Sequence, residues 1–281
     1  MNAIEIKGLC KSYKDFKLDN VSLSLPEGCI MGLVGENGAG KSTTIKLIMD
    51  AVRADAGQVS VMGVDNRSRE FGDLKEDIGV VLDEAYFPEV LNAKNVNSVM
   101  KNTYKRWDEK KYFEFLEKFS LPLKKEFKDY SRGMKMKLAI AVALSHEPKL
   151  LILDEATSGL DPMIRDEILD IFNDFTREET HSVLLSSHIV SDLEKICDYI
   201  AFIHRGRLVF CKEKDRLLEE YGIVRLTKAD FEALPAEAVM GKKVSGFGVE
   251  ALVRRDAVSG AFPVERAGVE DIILFIAKED R

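Results

Sequence analysis

Residues 29–42 read Cys29-Ile30-Met31-Gly32-Leu33-Val34-Gly35-Glu36-Asn37-Gly38-Ala39-Gly40-Lys41-Ser42, an apolar run that breaks into glycines and ends on Lys-Ser. A nearly continuous apolar run suits a strand buried on both faces of a sheet. Gly35 to Ser42 match the phosphate-loop spacing GxxxxGK[ST], and residues 42–49 have the composition of a helix. Strand, glycine turn and helix in that order form a device for holding phosphate. The glycines let the backbone curl so that its N–H groups point inward, and the helix presents its positive end to the anion. Lys41 then reaches the β- and γ-phosphates of a nucleoside triphosphate and the Ser42 hydroxyl ligates Mg²⁺, with Glu36, Asn37, Gly38, Ala39, Gly40 and Thr43 completing the cradle.

On either side of this stretch, short β-rich runs alternate with helix-like segments, which predicts an α/β fold. Residues 4–6 and 21–25 read as strands of a β-rich edge. Residues 78–82, 150–153, 183–185 and 199–203 read as further buried strands. Between 92 and 144 strand runs vanish, while Lys, Glu and aromatic residues recur at helical spacing over 96–107 and 109–119. We read 86–144 as a helical insertion within a domain spanning 1–218. Beyond it, short runs at 242–247 and 250–254 and an apolar segment at 269–277 predict a small α+β accessory region over 219–281.

The formal net charge of −7 over 281 residues argues against a protein that coats a polyanion, so no nucleic-acid partner is expected. Cys10, Cys29, Cys197 and Cys211 show no metal-ligand spacing. Cys29 and Cys197 lie in apolar surroundings and read as buried free thiols of a reducing compartment. Nothing at the start resembles a secretory signal. The longest apolar run, near 138–144, falls short of the roughly 18–20 residues of a membrane span. A membrane pathway must therefore come from a partner.

Residues 150–155 read Leu-Leu-Ile-Leu-Asp-Glu, an apolar strand that delivers two carboxylates to its C-terminal end. Asp154 is placed to hold the Mg²⁺ shell and Glu155 to act as general base on an attacking water. Taken alone, an Asp-Glu pair after a strand also fits the start of a solvated loop. Tyr130-Ser131-Arg132-Gly133-Met134, shortly upstream, turns the reading. Here the sequence resembles the ABC ATPase family, whose signature runs Leu-Ser-Gly-Gly-Gln. The resemblance continues through Ser158-Gly159-Leu160-Asp161, matching the D-loop, and His188, matching the switch histidine. Tyr13 matches the aromatic residue that stacks on adenine.

The resemblance implies an α/β P-loop cassette with a mixed-sheet core that binds ATP and Mg²⁺. It implies a homodimer or heterodimer in which each ATP lies between one subunit's phosphate loop and the other's signature, Ser131 to Met134. Ser131 is also placed to cap the helix that follows it. A separate integral membrane permease and a position on the cytoplasmic face of the membrane belong to the same expectation. The form Tyr-Ser-Arg-Gly-Met, together with residues 269–273, is similar to the ABC-2 export group, which includes ATPases of bacterial peptide exporters such as those for phenol-soluble modulins.

The motifs depart from the family at Asp83, at Arg132 and at Met134, which stands where the signature has glutamine. Asp83, followed by Glu84, stands where the family has a Mg²⁺-ligating glutamine, and Arg132 replaces the first signature glycine. A carboxylate still ligates Mg²⁺ but adds negative charge beside the triphosphate. Arg132 either reaches a phosphate across the dimer or points to solvent. Residues 83–88 are expected to meet the permease through Tyr86 and Phe87, unless both rings tuck into the cassette's own core. The alternative function is a soluble ABC ATPase that remodels a macromolecular complex. Those proteins resemble tandem cassettes, whereas this sequence has one phosphate loop and one signature.

Overall fold

The computed structural model describes residues 1–83, 87–246, 248–258, 260 and 262–279. The chain opens with the hairpin β1 (Asn2–Ser12) and β2 (Lys17–Pro26), whose alternating burial turns Ile4, Ile6, Val21, Leu23 and Leu25 inward. β3 (Ile30–Val34), buried at every position, leads through a loop into α1 (Lys41–Ile48). β4 (Ala56–Val61) and β5 (Val64–Asp65) return to the hairpin, giving an antiparallel sheet ordered β2-β1-β4-β5. After the short α2 (Glu70–Leu74), β6 (Ile78–Val81) enters the central sheet.

The expected helical segment follows as α3 (Ala93–Thr103), α4 (Glu109–Lys118) and α5 (Arg132–Leu144). α3 ends at Thr103, short of the expected Trp107, because tertiary contacts claim the next residues. The Tyr104 ring stacks 4.0 Å from His146, and Trp107 Nε1 donates to Asn97 Oδ1 at 2.8 Å. Asp108 then accepts from the Lys111 N–H at 2.9 Å, and this cap restarts the chain as α4.

The chain continues through β7 (Leu150–Asp154), α6 (Pro162–Phe175), β8 (Ser182–Ser187), α7 (Val190–Ile196), β9 (Tyr199–His204) and β10 (Arg207–Glu213). The central sheet runs β10-β9-β3-β8-β7-β6, parallel throughout except for β10. Its side chains alternate between two cores. Ile30, Val34, Leu151 and Leu153 face the helical side, whereas Met31, Leu33, Leu150 and Ile152 face α1 and the first sheet. Burial on both faces explains why these strands read as continuous apolar runs. Each such side chain is worth about 1.5–3 kcal/mol, so the central strands anchor the loops at their ends.

α8 (Lys214–Glu220) leads into β11 (Tyr221–Leu226), α9 (Lys228–Glu232), β12 (Val239–Ser245), β13 (Gly248–Arg254), β14 (Glu265–Arg266) and α10 (Val269–Glu279). The strands form an antiparallel sheet ordered β12-β13-β11-β14. α10 also reaches back, since Val269, Ile272, Ile273 and Phe275 join the same core as α5. Cys197 is buried as expected, but Cys29 is only half-buried because it precedes β3 rather than belonging to it. Among the described residues no helix is long and apolar enough to cross a membrane.

His146 gives this fold a pH dependence. One ring nitrogen faces the Val142 carbonyl oxygen at 3.3 Å and the other faces that of Ile78 at 3.2 Å, and the neutral ring donates to one of the two. Burial pushes its pKa below the usual imidazole value, against the opposing pull of the two carbonyls and Glu76. The unfolded chain therefore binds a proton that the folded chain refuses. Stability from this group is complete above about pH 6.5 and is lost as the pH falls toward the lower folded value. In urea melts at pH 7.5 and 5.5, His146→Gln is expected to lose less stability on acidification than the wild type. Equal losses would remove His146 as the cause.

Candidate active site

Parallel register brings three strand ends together. Val34 pairs with Ser187 and Asp154 pairs with Ser186, so the loops after β3, β7 and β8 leave the sheet side by side. In open α/β sheets this is the edge where ligands bind. A cleft of about 480 Å³ opens here. Glu36, Asn37, Gly38 and Gly40 of the loop line it with Lys41, Ser42 and Thr43 of α1. Asp83 and Glu155 close it from the sheet side, and Asp15 and Phe16 from the β1–β2 turn. Gly35 and Ala39 form the back of the loop and are buried.

The first turn of α1 has neither a side-chain cap nor an acidic residue. Its leading N–H groups stay unclaimed by side chains, an arrangement that favours an anionic ligand. Gly40 makes the entry to that helix possible. Its φ is +115°, and a Cβ there would meet Phe16 and Leu18 at 2.9 Å.

Lys41 is only 5% exposed. Its ammonium donates to the Gly35 carbonyl at 2.8 Å and the Glu36 carbonyl at 3.4 Å, and lies 3.1 Å from Glu155 Oε1. The other Glu155 oxygen accepts from His188, from Nδ1 at 2.7 Å and from the backbone N–H at 3.4 Å. A carboxylate only accepts, so this geometry puts the ring proton on Nδ1. Glu155 thus stands between a cation and a histidine. Its backbone is left-handed, φ +52°, a conformation that costs a non-glycine residue about 1–3 kcal/mol. Its N–H donates to the Ser186 carbonyl at 3.1 Å, which helps to hold that strain.

Of the three oxygen donors expected to hold a magnesium ion, Asp83 and Ser42 line the cleft, whereas Asp154 is buried outside its lining, with Oδ1 accepting from Ser186 Oγ at 2.5 Å. Among the described residues no cluster of three His, Cys, Asp or Glu side chains forms an all-protein metal cage.

Other expected site residues lie at the margin or outside. Tyr13 is 46% exposed and is not among the cleft-lining residues. Phe16, 6.4 Å from it between ring centroids, lines the cleft instead. The turn that brings them together is closed by the Tyr13 N–H donating to the Phe16 carbonyl at 2.7 Å. The sequence reading missed Phe16, and only its aromatic character near the turn hinted at it. Ser131 caps α5, accepting from the Met134 N–H at 3.3 Å, as its position predicted. Residues 131–134 contribute nothing to the lining of this chain's cleft. Asp161 caps α6, accepting from the Ile164 N–H at 3.1 Å.

Arg132 is exposed to solvent, and its guanidinium donates to Asp83 Oδ1 at 2.9 Å, joining two of the positions that depart from the family pattern. Phe87 is half-buried with its ring edge-on to Phe127, 5.4 Å between centroids, so the core reading holds for at least this ring. Glu84 and Tyr86 lie outside the described residues. The C-terminal region also comes close, in a second cleft where Glu270, Ile273, Leu274 and Ala277 of α10 face Glu36, Asn37 and His188.

Comparison with known proteins agrees with this geometry. The family model described as ABC transporter matches residues 18–158. The chain is 37% identical over 215 residues to the lantibiotic transport ATP-binding protein SrtF of Streptococcus pyogenes, covering 75% of this chain and 91% of that protein. It is 34% identical over 209 residues to the bacitracin transport ATP-binding protein BcrA of Enterococcus faecalis, covering 73% and 68% of the two. A solved ATP-binding subunit of an ABC transporter matches with a TM-score of 0.68 at 28% identity, covering 76% of this chain and 91% of that one.

Proposed function

The chain belongs to the ABC transporter family as one of its ATPases, and from that premise we propose that it drives a separate membrane permease as half of an ATP-sandwiched dimer. One observation carries the dimer. The cleft holds Lys41, Ser42 and Glu155, yet residues 131–134 do not line it. Ser131 and the N-terminus of α5 are exposed, with the positive helix end available to an anion held by another chain. Export of a peptide is the direction we favour, because two of the relatives are named for lantibiotic and bacitracin transport. The permease would hold the chain at the cytoplasmic face of the membrane.

The chemistry follows from the residues. The triphosphate lies over the loop and the uncapped turn of α1, with its base end toward Phe16 and Tyr13. Lys41 exchanges Glu155 for the β- and γ-phosphates. Ser42, Asp154 and Asp83 would hold Mg²⁺, which when bound would supply positive charge against the phosphate oxygens. Glu155, released by Lys41, orients the attacking water and takes its proton, while His188 holds the carboxylate's other oxygen in place. ADP and phosphate result, and the halves separate.

Ser131→Arg tests the shared site. Losing the cap costs about 1 kcal/mol at an exposed helix start, so the chain still folds. ATP binding by the single chain should stay near the wild-type value, while ATP-dependent dimerisation disappears in light scattering. In membranes carrying the permease the variant should still sediment but no longer support cargo export. A variant that dimerises with ATP as the wild type does would remove the signature from the shared site.

A further inference from the structure

Asp83 and Arg132 are 49 residues apart in sequence, and the fold closes them into an ion pair of 2.9 Å. Asp83 faces the nucleotide cleft together with Lys41 and Ser42, whereas Arg132 does not line it. Arg132 is further held against Gly159 in the loop after β7. A Cβ at that glycine would come within 2.8 Å of Arg132 Nη1, and its φ is +67°. A side chain at 159 would require the guanidinium to shift. Two of the positions at which the motifs depart from the family pattern thus form one physical unit, beside Gly159.

We propose that Arg132 is a positioning residue for Asp83: it orients the Asp83 carboxylate and offsets its charge, so that a carboxylate can serve as an Mg²⁺ ligand beside a triphosphate. This rests on the assignment of Asp83 to the metal shell. An unpaired carboxylate at this place would repel the γ-phosphate, and a guanidinium on one of its oxygens reduces that repulsion without entering the cleft. The side chains are 53% and 50% exposed, so the pair is weak enough to adjust when nucleotide enters. Arg132 follows the cap Ser131, so the unit also ties the chain's own metal ligand to the segment it presents to its partner.

The test is an Mg²⁺ titration of binding to a fluorescent non-hydrolysable ATP analogue, at protein concentrations where the chain is monomeric. Asp83→Ala should raise the half-saturating Mg²⁺ concentration. Arg132→Gln should raise it about 1.5- to fivefold, the range set by an exposed ion pair. Arg132→Lys should fall between, since lysine keeps the charge but not the planar fork. In the Asp83→Ala background Arg132→Gln should have no further effect. Thermal melts without nucleotide should barely distinguish the Arg132 variants from wild type. If Asp83→Ala leaves the Mg²⁺ midpoint unchanged, the metal-ligand assignment fails and the proposal with it. If Asp83→Ala shifts the midpoint but Arg132→Gln does not, or acts equally without Asp83, the positioning role alone is overturned.

Discussion

Glu155→Gln is expected to bind ATP at near wild-type affinity and to hydrolyse it about 10²–10⁴-fold more slowly, the usual cost of losing a positioned general base. The geometry explains why binding survives. Glutamine has the shape of glutamate, its amide oxygen can accept from Lys41, and its NH₂ can donate to His188 Nδ1 once the ring adopts the other tautomer. Lys41 and the His188 ring stay satisfied, only the long bond from the His188 backbone N–H is lost, and the left-handed backbone at 155 need not change. What is lost is the ability to take a proton from water. ATP that is bound but not consumed should accumulate the dimer, visible as an earlier-eluting species in size-exclusion chromatography with ATP and Mg²⁺. Turnover near the wild-type rate would exclude Glu155 as the base.

Lys41→Ala is expected to weaken ATP binding about 10- to 150-fold, corresponding to the roughly 1.5–3 kcal/mol of a charge-assisted hydrogen bond. The structure adds a second effect. In the nucleotide-free chain the Lys41 ammonium is 3.1 Å from a Glu155 side chain that is itself only 11% exposed. Removing one partner of a buried ion pair strands the other, at a typical cost of about 3–5 kcal/mol. Because Glu155 keeps His188, we expect the lower end, about 3 kcal/mol in denaturant melts. The double variant Lys41→Ala/Glu155→Gln should regain most of that stability and none of the ATP affinity. If the second substitution restores nothing, Lys41 and Glu155 do not interact in solution as they do here.

The elements most legible in the sequence were those whose causes are local. β3 and β7 announce themselves as apolar runs because both faces of each strand are covered, and the phosphate loop because only its glycines permit the turn into α1. Ser131 was readable as a helix cap because capping spans three residues of chain. α3 was read as ending four residues too late, since nothing local says that Tyr104 leaves the helix to stack on His146, 42 residues later. Tyr13 was read from the family resemblance and Phe16 was missed, although both sit in one turn and Phe16 is the ring that lines the cleft.

The sequence by itself therefore determined the fold class, the order of the catalytic segments and the chemical type of nearly every group in the cleft. The fold class and the phosphate loop follow from periodicity, turn chemistry and spacing, which act over a few residues, whereas the roles of Asp83, Ser131 and His188 follow from the resemblance to the ABC ATPase family. Tertiary structure alone decided that Lys41 rests on Glu155, that Asp83 and Arg132 neutralise one another, and that α10 approaches His188. Each of these joins side chains brought near by the sheet order β9-β3-β8-β7-β6 and by the helices packed on it. Strand order is set by how whole faces bury against one another, and no short window of sequence encodes it.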